Sequence, residues 1–341
     1  MKNILVTGGA GFIGSEFVRH MTQKHDDLHI VCLDKLTYAG NTANLAPVED
    51  QPNLTFVRGD IADREAVRAT MEEYGVDTVV NFAAESHVDR SILDPDAFVI
   101  TNTVGVNVLL DSAKQHGIGR FLHVSTDEVY GSIPEGQFTA EDAPLAPRNP
   151  YSASKAGGEL LVSSYHTTHG MDTVITRGSN TYGPYQYPEK LIPFFVTEAL
   201  DDRPLPVYGD GKQQRDWLHV HDHATGIETA LMQGESGEVY NIAGENILYN
   251  IDVTHRLLQL LGKPHTLIKH VPDREGHDAR YAMTSDKLRA LGWQQQYSFE
   301  EGLAKTVAWY QQHEDWWRKI KTGEYLEFYK RQYAERLAAA E

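Results

Sequence analysis

A short apolar run, Ile4-Leu5-Val6, leads into Thr7-Gly8-Gly9-Ala10-Gly11-Phe12-Ile13-Gly14, and an amphipathic stretch over residues 15–24 follows. Few features restrict a fold as tightly. Glycines at 8, 11 and 14 allow a tight turn, close backbone approach to a pyrophosphate and close helix–strand contact. The helix that follows presents unpaired N–H groups to an anion. The turn gains weight from its surroundings: a strand before it, a helix after it, and Asp34 at the end of the second apolar run, 20 positions past Gly14. A carboxylate there bonds the adenosine ribose hydroxyls and repels a 2′-phosphate, which predicts NAD rather than NADP.

Further runs at 30–33, 55–57, 79–82, 121–124 and 174–176 read as buried parallel strands. Amphipathic stretches such as 64–74 lie between them. Val239-Tyr240-Asn241-Ile242 reads as a late return to the same sheet. The expected class is α/β, a Rossmann-type doubly wound parallel sheet with a smaller, loop-rich C-terminal substrate lobe. From about Ser179 the texture changes, with Pro184, Pro188, Pro193, Pro204 and Pro206 punctuating short segments around Gly183, Gly209 and Gly211. The expected division is an NAD-binding unit over 1–178 with a return at about 220–246, and a lobe over 179–219 plus 247–341. Residues 299–333 read as helical, their Trp and Tyr side chains as packing.

The 341 residues suffice for a large core without disulfides. The single cysteine, Cys32, sits in an apolar run, so a buried thiol in a reduced cytoplasmic protein is expected. The first residues run directly into the strand pattern with no apolar leader, and no window approaches 18 apolar residues. A net charge of −17 argues against nucleic acid as a partner. An anionic ligand then requires locally gathered cations, for which Lys190, Arg215 and Arg274 are the candidates. No metal-ligand spacing is present.

Two chemical groupings follow the fifth run. Tyr151 and Lys155 are four residues apart, on one helical face. A phenol of ordinary pKa about 10 is a poor base at neutral pH, and a nearby ammonium favours the phenolate. Tyr151 is therefore read as the base that takes an alcohol proton while hydride leaves for NAD⁺. Thr126-Asp127-Glu128 adds two carboxylates that simple alcohol oxidation does not need. Oxidation at C4 of a hexose acidifies the C5 proton. Glu128 is read as the base that removes it, Asp127 as the acid that protonates the departing C6 hydroxyl, and Thr126 as a hydrogen bond to the C4 oxygen. An isolated Asp-Glu pair is usually a solvated turn; between a sheet edge and the Tyr-Lys helix, catalysis is the better reading.

With these residues in hand, the chain closely resembles the dTDP-glucose 4,6-dehydratases of the extended short-chain dehydrogenase/reductase family. The resemblance runs from Met1 to about Tyr310. It rests on the stretches 7–14, Ala-Ala-Glu-Ser-His-Val-Asp-Arg-Ser (83–91), Ser-Thr-Asp-Glu-Val-Tyr-Gly (125–131) and Tyr-Ser-Ala-Ser-Lys-Ala (151–156). Tyr-Gly-Pro-Tyr-Gln (182–186), Pro-Glu-Lys-Leu-Ile-Pro (188–193), Tyr-Gly-Asp-Gly-Lys-Gln (208–213), Arg-Asp-Trp-Leu (215–218) and Gly-His-Asp (276–278) add to it. Epimerases of the family usually lack both carboxylates, and decarboxylases and GDP-mannose dehydratases resemble Thr-Ser-Glu there, so Asp127 favours the glucose dehydratase branch.

The resemblance implies tightly bound NAD, regenerated each turnover. Its expected contacts are Gly8, Gly11, Phe12, Ile13, Gly14, Asp34, Lys35, Leu36, Thr37, Asp60, Ile61, Phe82, Ala83, Ala84, Ser86, Thr101, Tyr151, Lys155 and Thr181. The expected sugar-nucleotide contacts are Ser86, His87, Thr126, Asn180, Lys190, Leu191, Pro206, Val207, Tyr208, Arg215, Asn250, Arg274 and His277, with 206–208 lining the base. Two departures stand out. Thr181 replaces the second Asn of a usual Ser-Asn-Asn, and Glu275 replaces the Pro of a usual Asp-Arg-Pro-Gly-His. The base, thymine or uracil, stays open. So do an epimerase or decarboxylase on the same scaffold and a retired dinucleotide sensor. A homodimer is implied, with helices around 101–116 and 151–169 packing as a four-helix bundle.

Overall fold

The computed structural model describes residues 1–273 and 277–338. Its strands, in chain order, are β1 (Asn3–Thr7), β2 (His29–Asp34), β3 (Leu54–Arg58), β4 (Thr78–Asn81), β5 (Arg120–Thr126), β6 (Thr173–Gly178), β7 (Asn180–Tyr182), β8 (Leu205–Tyr208), β9 (Gln214–His219), β10 (Val239–Ile242), β11 (Ile247–Tyr249) and β12 (Ile268–Val271). Seven form one parallel sheet in the order β10-β6-β5-β4-β1-β2-β3. The chain works outward from β1 to β3, then crosses to β4 and works the other way. The carboxyl ends of β1 and β4 thus flank the topological switch point, where a doubly wound sheet opens a crevice.

Both faces of the inner strands are covered, which is why those strands are continuously apolar; β3, expected to be buried, lies at the sheet edge and is only partly so, with Phe56 exposed. Ile4 and Val6 point to one face, joined by Phe17, Met21, Ile227 and Leu231 from the helices Phe12–Lys24 and Val220–Gln233. Leu5 points to the other, with Val67, Leu109 and Val162 from the helices Arg64–Glu73, Val106–His116 and Pro150–His169. Cys32 is buried in the first layer, where burial pushes its thiol well up.

The remaining strands form a three-stranded sheet, β11-β9-β7, and the pair β12-β8. They pack with the helices Leu191–Leu200, Asn250–Leu261 and Phe299–Gln312 around a separate aromatic core that includes Phe194, Trp217, Phe299, Tyr310 and Trp317. Trp317 is wholly buried and its Nε1 donates to Tyr310 O at 2.9 Å. Truncating such a residue costs about 3–5 kcal/mol.

Local boundaries differ from expectation in two ways. The helical tail is three helices, Phe299–Gln312, Glu314–Ile320 and Glu324–Ala338. His313 leaves helical geometry between the first two, and Gly323 takes a left-handed φ of 48° before the third. Thr126 is the last residue of β5, which runs two residues beyond the apolar run at 121–124, and Asp60 and Ala83 each lie two residues past their strands. Among the described residues no helix is long and apolar enough to cross a membrane.

Candidate active site

Two clefts meet at the carboxyl edge of the large sheet and share Phe12, Ile13, Ser86 and Tyr151 in their walls. The first is made by the backbone. Gly8 has a φ of +67°, and its N–H donates to Leu33 O at 2.8 Å. A Cβ there would lie 2.6 Å from Ala83 N, and one on Gly14 would lie 2.3 Å from Gly8 O. Those approaches require glycine. The helix Phe12–Lys24 has no side-chain cap at Gly11, so its first N–H groups are open to an anion. Asp34 ends β2, and its two carboxylate oxygens accept from Ala10 N at 2.9 Å and Leu36 N at 2.8 Å. Burial pushes this carboxyl up and those N–H groups oppose it.

Of the expected cofactor contacts, all but Leu36 and Thr181 line this cleft. Leu36, at a left-handed φ of 56°, turns its side chain onto the first core layer. Thr181 lines the second cleft; its hydroxyl donates to Ser179 O at 3.0 Å and lies 2.7 Å from His223 Nδ1. Lys35 pairs with Asp60 at 2.7 Å across the cleft mouth. Glu85, Gly40, Gln186 and Glu189 also line it and were not expected. Glu85 and Glu189 lie inside the quoted motifs, but nothing in their spacing turns them toward a cofactor.

The second cleft is made by side chains. Thr126 Oγ1 accepts from Glu128 N at 3.3 Å, capping the one-turn 3₁₀ helix Asp127–Tyr130. It also donates to Asp127 Oδ1 at 3.2 Å. Asp127 is 3 % exposed and its Oδ2 has no hydrogen-bond partner among the described residues. Burial, then the carboxylates of Glu128 and Asp216, push Asp127 well up, with Arg215 opposing. Asp216 itself is pushed up to about 6 by burial. Glu128 is half-buried; its Oε2 accepts from Asn149 Nδ2 at 3.3 Å and from Tyr281 Oη at 3.4 Å. Neighbouring carboxyls in such unequal surroundings suit one acid and one base.

Tyr151 and Lys155 sit in the first two turns of Pro150–His169. That helix starts where Pro150 sets the backbone and Asn149 and Ser152 cap each other reciprocally. The expected downward pull of Lys155 on the phenol does not govern. Burial and Glu128 push Tyr151 up, while a hydrogen bond with Thr126 opposes. Lys155 Nζ donates instead to Val124 O at 2.7 Å, and burial brings it down to about 8.

All the expected sugar-nucleotide contacts within the described residues line this second cleft; Arg274, and with it Glu275, lies outside them. Arg215 is buried over the Tyr281 ring at 4.4 Å and donates to Gln214 O and Asp278 O. Lys190 Nζ donates to Ser86 O at 2.6 Å. Asn180 Oδ1, Asn250 Oδ1, Gln186 Oε1 and Gln213 Oε1 are buried without a partner among the described residues. Several orphaned acceptors in one cleft suit a ligand rich in hydroxyl and N–H groups, because such atoms are costly to leave unpaired. Among the described residues no group of three or more His, Cys, Asp or Glu could hold a metal ion.

Comparison with known proteins identifies the family. The family model described as GDP-mannose 4,6 dehydratase matches residues 5–306. A dTDP-glucose 4,6-dehydratase of Streptomyces niveus is 50% identical over 94% of this chain and 96% of its own length. One from an Actinoplanes species is 52% identical over 92% and 99%. The crystal structure of a dTDP-glucose 4,6-dehydratase from Streptomyces venezuelae with NAD bound superposes with a TM-score of 0.91 at 50% identity, over 94% of this chain and 100% of that one. The chain therefore belongs to the GDP-mannose 4,6 dehydratase family, beside the dTDP-glucose 4,6-dehydratases.

Proposed function

We propose that this chain is an NAD-dependent dTDP-glucose 4,6-dehydratase, a hydro-lyase that makes the 4-keto-6-deoxy sugar nucleotide for deoxysugar synthesis. The observation that carries it is the Asp127–Glu128 pair, set beside Tyr151 where the two clefts meet, with Asp127 buried and pushed toward its neutral form. Relatives at 50–52% identity bearing that name support it. The open helix end, the glycine cradle and Asp34 fit NAD, which when bound accepts a hydride from C4 and returns it to C6 in the same turnover.

Burial and Glu128 keep the Tyr151 phenol protonated as it stands, so it must give up its own proton before it accepts that of the C4 hydroxyl. The positive charge of NAD⁺, when bound, would favour the phenolate, and Lys155, at about 8, is one turn away to pass protons near neutral pH. Thr126 holds the C4 oxygen. Glu128 takes the C5 proton, held in place by Asn149 and Tyr281. Asp127 gives its proton to the C6 hydroxyl, which leaves as water. The C5 proton is restored as hydride reaches C6, so the sum is loss of one water with no net oxidation. Arg215 and Lys190 supply cations for the diphosphate, and 206–208 line the base.

We further propose that residues 1–178 with 220–246 form the cofactor unit, and that 179–219 with 247–341 form the sugar-nucleotide lobe. A homodimer would pack the helices at 100–116 and 150–169 across a two-fold axis; Ile100, Val104 and Leu160 are 51%, 47% and 63% exposed there, which supports it. The single buried thiol is in keeping with a cytoplasmic setting. The test is product analysis of purified protein with dTDP-glucose or UDP-glucose and no added NAD. A 4-keto-6-deoxy product from dTDP-glucose, without NADH build-up, is expected. Faster turnover of UDP-glucose would move the substrate, and no elimination from either would overturn the reading.

A further inference from the structure

The helix Glu324–Ala338 lies beyond the residues that the family model matches, yet it reaches the second cleft. Tyr325, Phe328, Tyr329, Gln332, Tyr333 and Arg336 recur at the three- and four-residue steps of one helical face. That face is laid along the cleft wall. Tyr325 Oη donates to Pro188 O at 3.0 Å, Phe328 meets the His87 ring edge-on at 5.4 Å, and Tyr333 stacks on Phe194 at 5.2 Å. Arg336 donates to Pro272 O at 3.0 Å and lies over the Tyr208 ring.

The contacts converge on Tyr208. Its phenol donates to Asp89 Oδ2 at 3.2 Å and accepts from Gln332 Nε2 at 3.0 Å and from the Tyr333 hydroxyl. A phenol has one hydrogen to donate and two lone pairs, so these three partners satisfy it fully. Gln332 Nε2 also reaches Asp89 Oδ2 at 3.1 Å. The ring that lines the nucleotide end of the cleft is thus fixed from two sides, by Asp89 in the short helix Val88–Leu93 and by the last described helix. Tyr333 is itself part of the cleft lining.

We propose that Gln332 and Tyr333 are positioning residues for nucleotide recognition: they hold Tyr208 as a rigid wall for the pyrimidine and so set how well thymine is separated from uracil. This rests on the sugar-nucleotide reading above. Thymine differs from uracil by one methyl group, which an apolar pocket distinguishes by about 10–200-fold. A wall free to swing surrenders much of that contact.

The test uses the full-length protein with Gln332→Ala and Tyr333→Phe, the latter keeping the ring on Phe194. Binding of dTDP and UDP is measured by calorimetry, and kcat and KM for both sugar nucleotides alongside. Each change is expected to weaken dTDP binding and raise KM for dTDP-glucose about five- to tenfold, with the larger loss on thymine and little change in kcat. A lowered melting temperature with an unchanged dTDP/UDP ratio would mean the helix is merely structural and overturn the proposal. So would a loss confined to kcat, or wild-type protein that binds neither nucleotide. Should neither sugar be dehydrated while dTDP binding still depends on Gln332 and Tyr333, the reaction assigned above fails and this inference stands.

Discussion

The two clefts that meet at Tyr151 are made of different material. The first is backbone: a left-handed Gly8, the crowded Gly14, an uncapped helix end and one carboxylate held by two N–H groups. The second is side chains drawn from β5, β7, β8, β9, the Pro150–His169 helix and the last described helix. Backbone geometry tolerates almost no added volume but is indifferent to most side chains. A side-chain cleft is the reverse, and it adapts its selectivity by substitution. The same scaffold can thus keep one cofactor while its relatives differ in the sugar chemistry they perform.

That contrast can be broken most severely at Glu128. Glu128→Gln should lower water elimination by about 10²–10⁴-fold while leaving the oxidation half intact, so single-turnover experiments should show NADH forming and persisting. Near wild-type elimination would remove Glu128 from the base role. In the backbone cleft, Gly14→Ala forces a methyl onto Gly8 O. It should cost about 1–3 kcal/mol by overpacking and yield protein stripped of NAD, read from thermal melting and the 260/280 nm absorbance ratio. Retention of a full complement of NAD would show that the glycine cradle tolerates added volume.

Smaller effects sharpen the comparison. Asn250→Ala removes one orphaned acceptor in the side-chain cleft. One hydrogen bond is worth about 1 kcal/mol, so KM should rise about fivefold with NAD content unchanged; altered NAD content would mean the clefts are not separable. Asp216 offers a pH test. Its folded pKa of about 6 lies above the unfolded value of about 3.9. The native state therefore holds a proton that the unfolded chain releases, and this contribution to stability is full below about 4 and is lost as pH rises to about 6. Asp216→Asn should flatten chemical-denaturation stability across that window; an unchanged slope would assign the pH dependence elsewhere.

The same contrast explains what could be read from the sequence. The parallel sheet, its late return through β10 and the glycine turn all arise from local signals: apolar runs, a three-residue glycine spacing, an acid at a strand end. Residues of the side-chain cleft were legible where they sat in resembling motifs. Their partners were not. Asn149 and Tyr281 reach Glu128 from 21 and 153 residues away, and Gln332 reaches Asp89 from 243 away. No periodicity encodes such meetings. The direction of the Tyr151 shift escapes the sequence for the same reason: the spacing to Lys155 is visible there, whereas burial and the Val124 carbonyl that engages the ammonium are not. The tail's aromatics read as packing, and most are, but Tyr333 also faces the cleft.

The neighbouring strands β6 and β10 bracket everything the chain builds between residues 178 and 239. The chain leaves the sheet at one strand and rejoins it at the next, so that whole stretch is a loop with both feet on the same floor. A single protease cut within it would leave each fragment hydrogen-bonded into one sheet. The nicked protein should run as two bands on a denaturing gel and as one particle in solution. Covalent continuity there is a matter of synthesis and folding order more than of cohesion, and the part of the stretch ahead of the helix Val220–Gln233, which covers one sheet face, can lengthen without the sheet beneath it being rewritten.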